Sequence, residues 1–287
     1  VLPPHHRIDA GRCVRLVWSD PMPAAPIPSC PEAAAVRPAQ PAASPALPPT
    51  AAGGPRRAWA DRAEAGRALA AALAGRSWPH PPLVLALPRG GVPVAAEVAR
   101  ALRAPLDLLM VRKIGAPGQP ELAVAAVARL SEQAVPQLAT DEPLMRCTGA
   151  DRAWVDQGQQ RELAEIARRR RRYLGDRCAE SLAGRTALVV DDGLATGTTA
   201  RAAVLALRHA QPVPARIVLA VPVASAEAAR ALAAEVDELV CLWQPEPFHA
   251  VGAHYRDFRQ VDDDAVVNAL STAARRCVRQ AAKTALS

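Results

Sequence analysis

From Trp59 onward the chain alternates two textures. Short, almost unbroken apolar runs predict strands buried on both faces: LVLAL (83–87), LDLLMVRK (106–113), TALVV (186–190), ARIVLAVPVA (215–224) and ELVCLW (238–243). Between them lie segments whose apolar residues recur at helical spacing. These are WADRAEAGRALAAALAG (59–75, closed by Gly75), VPVAAEVARALRA (92–104), residues 151–174, TTARAAVLALRHA (198–210) and AEAARALAAEV (226–236). ELAVAAVARL (121–130) fits a strand and a short helix equally well. Strand and helix in strict alternation predict an α/β fold, a mostly parallel sheet flanked by helices on both faces. In such sheets ligands bind beyond the carboxyl ends of the strands, and every motif considered below falls there.

The first 55 residues break the pattern. They hold 13 of the 28 prolines among alanine-rich spacers, with no periodicity. Such a segment buries too little apolar surface to offset its ordering entropy, so it reads as a disordered tail. It begins with Val rather than Met, and an over-extended reading frame with Met22 as a start is a second reading. The expected organisation is therefore a tail (1–55), one domain (56–275) and a C-terminal tail (276–287).

Composition narrows the function classes. No apolar stretch approaches the ~20 residues of a membrane span, and RCVRLVW is too short for the apolar part of a signal peptide. The expectation is a cytoplasmic protein without membrane contact. The six cysteines are scattered, with no CxxC pair, and the six histidines form no metal-ligand spacing. Formal net charge is +7, but of 35 basic residues only Lys113 and Lys283 are lysine. That balance resembles a coding bias more than a nucleic-acid footprint. The one dense basic run, Arg168 to Arg172, lacks interleaved aromatics and reads as a solvated helix face, so no nucleic-acid partner is expected.

VVDDGLATGTTAR (189–201) joins a strand to a helix. A helix start presents free N–H groups and the positive end of the helix dipole, a ready site for phosphate. Gly193 and Gly197 permit a tight turn and close backbone approach, Ala195 keeps it small, and Thr196, Thr198 and Thr199 add hydroxyls. Asp191 and Asp192 would repel that phosphate unless the ligand has a second, neutral part. A carboxylate accepts hydrogen bonds from a pair of vicinal hydroxyls, so a ribose 5-phosphate suits both halves of the stretch. No GK[ST] follows, and no GxGxxG fingerprint is present.

LALPRGGVPVAAEVA (85–99) repeats the logic, with Arg89, Gly90 and Gly91 at a strand-to-helix turn. VRKIGAPGQPELA (111–123) ends a strand with Arg112 and Lys113 and continues into a Gly/Pro loop. Each has a plain alternative, an ordinary turn for the glycines and a solvated strand end for the lysine.

Two acids followed by G-x-x-T-G-T-T after an apolar strand resemble the 5-phosphoribosyl 1-pyrophosphate (PRPP) motif of type I phosphoribosyltransferases. From about 59 to 270, LPRGGVPVA, VRKIGAPGQPELA, VDDGLATGTT and PEPFHAVGAHYRDFRQV together resemble a bacterial group of stand-alone phosphoribosyltransferase-domain proteins. AVAAVARLS (123–131) departs from that group, where a small, glycine-containing run is expected. The resemblance implies a type I phosphoribosyltransferase-like fold with a small hood, and phosphoribosyl transfer from PRPP to a nucleobase or small amine with release of pyrophosphate. It implies that Asp191, Asp192, Gly193, Ala195, Thr196, Gly197, Thr198 and Thr199 hold the ribose phosphate. Arg89, Gly90, Gly91, Arg112 and Lys113 would grip the pyrophosphate, with residues 115–121 as a lid. Asp191, Asp192, Lys113 and Arg89 would then carry catalysis. The cofactor it implies is Mg²⁺, carried by PRPP and met by Asp191 and Asp192 directly or through water. In the hood, LWQPEPFHAVGAHYRDF (242–258), Phe248 is a candidate to stack on the acceptor, with core packing an equal reading. The lysine that purine-salvage relatives place there is missing. A homodimer is expected by analogy. The alternative function is a non-catalytic PRPP-sensing regulator, with RNA binding as a variant resting on the Arg168–Arg172 run.

Overall fold

A computed structural model describes residues 58–175, 177 and 179–284. The tail expected over 1–55 lies outside the described residues. Strands β1 (Pro82–Ala86), β2 (Leu106–Leu108), β6 (Thr186–Val190), β7 (Arg216–Val223) and β8 (Glu238–Trp243) form one parallel sheet in the order β2-β1-β6-β7-β8. A second, antiparallel sheet takes β3 (Met110–Ala116), β4 (Gln119–Arg129) and β5 (Gln137–Thr140) in chain order.

The apolar runs became strands because both faces of the parallel sheet are covered. On one face β1, β6 and β7 pack Leu83, Leu85, Val189 and Leu219 against α5 (Thr198–Arg208) and α6 (Ala226–Ala233). On the other face Val84, Leu188 and Val218 meet α1 (Arg62–Ala74), α2 (Gly91–Leu102), α4 (Arg152–Leu174) and α7 (Asp263–Thr284). Helix starts are capped as the composition suggests: Asp61 accepts from Glu64 N–H, Asp151 from Trp154 N–H and Ser225 from Ala228 N–H.

The apolar run expected over 106–113 is two strands, not one. Leu109 still donates to Ala86 O of the parallel sheet, and Met110 already pairs with Arg129 of β4. The ambiguous stretch 121–130 is strand as far as Arg129. Ala126 and Ala128 of β4 face α5, and Ala125 and Val127 face α4, so it is buried on both sides. A short helix, α3 (Glu142–Thr148), precedes α4. The helix α7 runs through the boundary expected at 275 without a break, anchored by Val266 and Leu270. Residues 285–287 lie outside the described residues.

The hood is built from both ends of the domain. Trp59 bridges to Tyr255, and Trp59, Trp243, Phe248, Val251 and Phe258 pack around Ala65, Val223 and Tyr255. The Arg168–Arg172 run lies on a helix face with Arg168, Arg171 and Arg172 exposed, and most of its guanidinium groups have partners within the chain. Arg168 and Arg169 hold Glu165, Arg170 donates to Leu130 O, and Arg172 reaches Asp263 and Asp264. Among the described residues no helix is long and apolar enough to cross a membrane.

Candidate active site

Parallel pairing of β1 with β6, Ala86 opposite Val190, ends both strands at the same level. The loops that follow, Pro88–Gly91 and Asp191–Gly197, are therefore forced together at the carboxyl edge of the sheet. Their contact is close. A Cβ on Gly90 would collide with the Asp192 carboxylate, and one on Gly91 would lie 2.7 Å from Val190 O and 2.9 Å from Asp191 Cα. Gly90 has an ordinary helical φ of −57°, so glycine is needed there for space and not for conformation. The Pro88–Arg89 peptide bond is cis.

The two acids lie side by side, half-buried. Asp191 Oδ1 accepts the Asp192 N–H at 2.8 Å. Asp192 Oδ2 accepts from Arg62 Nε at 2.7 Å, and the Asp192 carbonyl accepts the Tyr255 hydroxyl at 2.5 Å. Burial pushes the Asp191 carboxyl well above the usual range, and the neighbouring Asp192 charge adds to it; the Asp192 N–H and Arg62 oppose. Burial also raises Asp192, against the pull of Arg62. A pair with one cation beside it and both carboxyls raised is poised to accept positive charge or donors from a ligand. Burial and the Asp192 charge likewise push the Tyr255 phenol upward, so it stays a donor.

Beyond the acids the chain turns into α5. Gly197 takes φ +79°, the left-handed region that favours glycine, and Thr198 opens the helix. Thr196 and Thr198 share a hydroxyl–hydroxyl hydrogen bond at 3.0 Å. Ala195 and Thr196 are exposed, Thr199 half-exposed. The loop is strapped to the next strand: Leu194 donates to Val223 O, and Ser225 Oγ donates to Ala195 O at 2.7 Å. Side-chain hydroxyls and the first turn of α5 thus sit one short loop away from the carboxylates, the arrangement a phosphate next to a diol requires.

The cations expected on the pyrophosphate side are not gathered in one place. Arg89 reaches Asp263 at the start of α7 (3.4 Å). Arg112 pairs with Glu162 of α4 at 2.8 Å, and Lys113 with Glu121 across the β3–β4 hairpin at 2.6 Å. Arg112 and Lys113 are neighbours on one strand and so project from opposite faces of the antiparallel sheet. Lys113 lies opposite Ala126 on the face toward α5, and Arg112 lies on the face toward α4. The segment 115–121 is the tip of that hairpin, turning at Gly118 with φ +70°. Phe248 packs in the hood with its ring 5.2 Å from His254.

Sequence motifs did not reach Arg62 or Asp263, and they included Tyr255 and Phe258 without giving either a role at the acids. Arg62 lies 130 residues from its partner Asp192, and only the strap between the two ends of the domain brings it there. Asp263 gathers Tyr173 (2.5 Å), Arg89 and Arg172. Its sole sequence signal is its place in the acidic run at 262–264, an ordinary helix start.

No group of three or more His, Cys, Asp or Glu among the described residues could cage a metal ion. Two adjacent carboxylates beside a hydroxyl-bearing helix start do fit Mg²⁺, which prefers a carboxylate or two, substrate oxygens and retained water.

One edge of the parallel sheet carries the paired acids and the threonine turn, facing a glycine turn on the adjacent strand. Residues 58–250 match the model of the phosphoribosyl transferase domain, and the chain belongs to that family. A Mycobacterium tuberculosis protein provisionally named a phosphoribosyl transferase, recorded in strains CDC 1551 and H37Rv, is 46% identical over 216 residues, 75% of this chain. Those residues make up 47% of the relative, so the chain spans about half the length of the protein it matches. The crystal structure of TT1426 from Thermus thermophilus is 41% identical and superposes with a TM-score of 0.57, covering 75% of this chain and 98% of that one.

Proposed function

We propose that the protein transfers the phosphoribosyl group of PRPP to a small nucleophile, a nucleobase or an amine, with release of pyrophosphate. The observation that carries this reading is the contact between the two loops. Asp191 and Asp192 stand against Gly90 and Gly91, with the threonine turn of α5 on their other side. A phosphate at Thr196–Thr199, a ribose at the two acids and a pyrophosphate over the glycine turn follow one another along the sheet edge in the order PRPP presents them.

The chemistry asks for little covalent work from the protein. The bond from the anomeric carbon to pyrophosphate lengthens as the sugar gains positive charge, and the acceptor attacks from the hood side. Catalysis then comes from fixing the sugar and stabilising separated charge. Asp191 and Asp192 orient the ribose hydroxyls and offset the developing positive charge. Lys113, released from Glu121, is positioned to answer pyrophosphate from the hairpin, with Arg89 beside the glycine turn. Mg²⁺, when bound through PRPP and met by Asp191 and Asp192, supplies neutralisation of the leaving group. Arg112 sits on the far face of its sheet and contributes through Glu162 to docking α4.

A double Asp191→Asn, Asp192→Asn variant tests the ribose assignment. A hydrogen bond to a charged group contributes about 1.5–3 kcal/mol, so losing two should weaken PRPP binding by about 100-fold or more. Titration calorimetry reads this directly, with circular dichroism confirming the fold. PRPP affinity unchanged in the folded variant would remove the proposal.

A further inference from the structure

Asp192 is the better connected of the two acids, with one tether from the start of α1 and one from the hood. Arg62 holds its carboxylate, and Tyr255 holds its carbonyl. The Arg62 side chain is only 10% exposed, yet it carries three contacts. Nε goes to Asp192, Nη1 donates to Arg259 O at 2.8 Å, and the guanidinium lies 3.8 Å from the centre of the Phe258 ring. The residues just before Arg62 are sewn to the same hood segment. Trp59 donates to His254 O (2.9 Å), Arg256 N–H to Trp59 O (2.7 Å) and Asp257 N–H to Ala60 O (2.9 Å). The first turn of α1 and residues 254–259 therefore form one strap, and the strap ends on Asp192.

We propose that Arg62 is a positioning residue of the ribose site, fixing the aim of Asp192 and tying that acid to the acceptor-side hood. The proposal rests on the phosphoribosyl reading of the site and deepens it. Arg62 occupies Oδ2 and leaves Oδ1 for a sugar hydroxyl, since a carboxylate accepts at both oxygens. A guanidinium stacked on an aromatic face and bonded in a fixed fork cannot wander as an ammonium can. Movement of residues 255–259 around an acceptor is thereby transmitted to the acid that holds the ribose, through one side chain.

The charged and titratable groups facing this pair are few. Asp191 adjoins Asp192 from the end of β6, and Tyr255 sits over its carbonyl. Asp257 is engaged by Arg259, through Nε at 2.9 Å and Nη2 at 2.6 Å, Glu64 by the Ala60 N–H, and Asp61 by the Glu64 N–H. Among the described residues, Arg62 is thus the cation within bonding distance of the acids.

Calorimetric titration of PRPP, ribose 5-phosphate and pyrophosphate into wild type, Arg62→Met and Arg62→Lys tests the proposal. Without the guanidinium the Asp192 carboxylate loses the hydrogen bond that aims it, so Arg62→Met should bind PRPP and ribose 5-phosphate more weakly by about tenfold or more, with pyrophosphate affinity unchanged. Arg62→Lys should recover only part of the sugar-phosphate affinity, because the Phe258 and Arg259 contacts are missing. If Arg62→Met melts out, Phe258→Leu loosens the guanidinium without deleting it and should weaken ribose 5-phosphate the same way by less. Wild type that binds PRPP, with a folded Arg62→Met (or Phe258→Leu) that binds all three as wild type does, or loses all three alike, would overturn the role of Arg62 alone. Wild type that binds no PRPP would overturn the reading of the site, and this proposal with it.

Discussion

At the scale of single residues, the site carries a cost that its function explains. Asp191 is half-buried next to a second carboxyl, and its carboxyl is held well above the usual range by loss of solvent and by Asp192. The folded state therefore binds a proton at Asp191 more tightly than the unfolded chain does. Stability from this group is fully present below the unfolded carboxylate range and falls as pH rises through the raised folded value. Asp191→Asn keeps an oxygen to accept the Asp192 N–H and removes the titration. The variant should melt higher than wild type at pH 7, by roughly 2–4 °C for each kcal/mol relieved, and the gap should close as pH is lowered through the carboxylate range. Scanning calorimetry across that range checks it; a gap that widened toward low pH would reverse the assignment. Both acids were legible in the sequence because they lie in one continuous stretch with the turn they serve. Arg62 and Asp263 were not, because their meaning comes from partners 130 and 174 residues distant.

At the scale of elements, the strands of the parallel sheet could be read because burial on both faces leaves unbroken apolar runs. The same logic made β4 ambiguous: AVAAVA is apolar enough for either structure, and only the α5 and α4 faces on its two sides decide it. The departure at 123–131 falls in this strand, and its alanines supply the small surfaces that α5 packs against. Boundaries suffered where one apolar run served two sheets, at Leu109. Close packing of helices left a fainter trace. Gly66 of α1 sits against α2 so tightly that an added Cβ would lie 2.8 Å from Val94 O and 2.9 Å from Val94 Cα. Backbone cannot swing aside as a side chain would, so Gly66→Ala should push α1 off α2 and destabilise the fold by about 1–3 kcal/mol despite alanine's better helix propensity. Urea unfolding should show a lower midpoint. A variant as stable as wild type, or more so, would show that α1 slides freely on α2.

At the scale of the whole molecule, the site is assembled from nearly the full length of the domain. Its groups come from Arg62 in α1, Gly90 before α2, Asp191–Thr199 between β6 and α5, Tyr255 in the hood and Arg89 leaning on Asp263 at the head of α7. Most of the parallel-sheet layer cannot open far without taking one of these groups away. A ligand bound here should therefore stabilise the entire cooperative unit. Binding to the folded state alone adds RT ln(1 + [L]/Kd), about 2.7 kcal/mol at one hundred times Kd, or roughly 5–10 °C for a domain of this size. PRPP should give that shift as a single displaced transition. Ribose 5-phosphate, which engages the acids and the threonine turn but not the glycine turn, should give a smaller one at the same multiple of the PRPP Kd. Pyrophosphate alone should give the smallest, since its cations are dispersed over Glu121, Glu162 and Asp263 until the sugar is seated. A full shift from pyrophosphate alone would invert this order and place the primary anchor on β3 and the glycine turn instead of on Asp191 and Asp192.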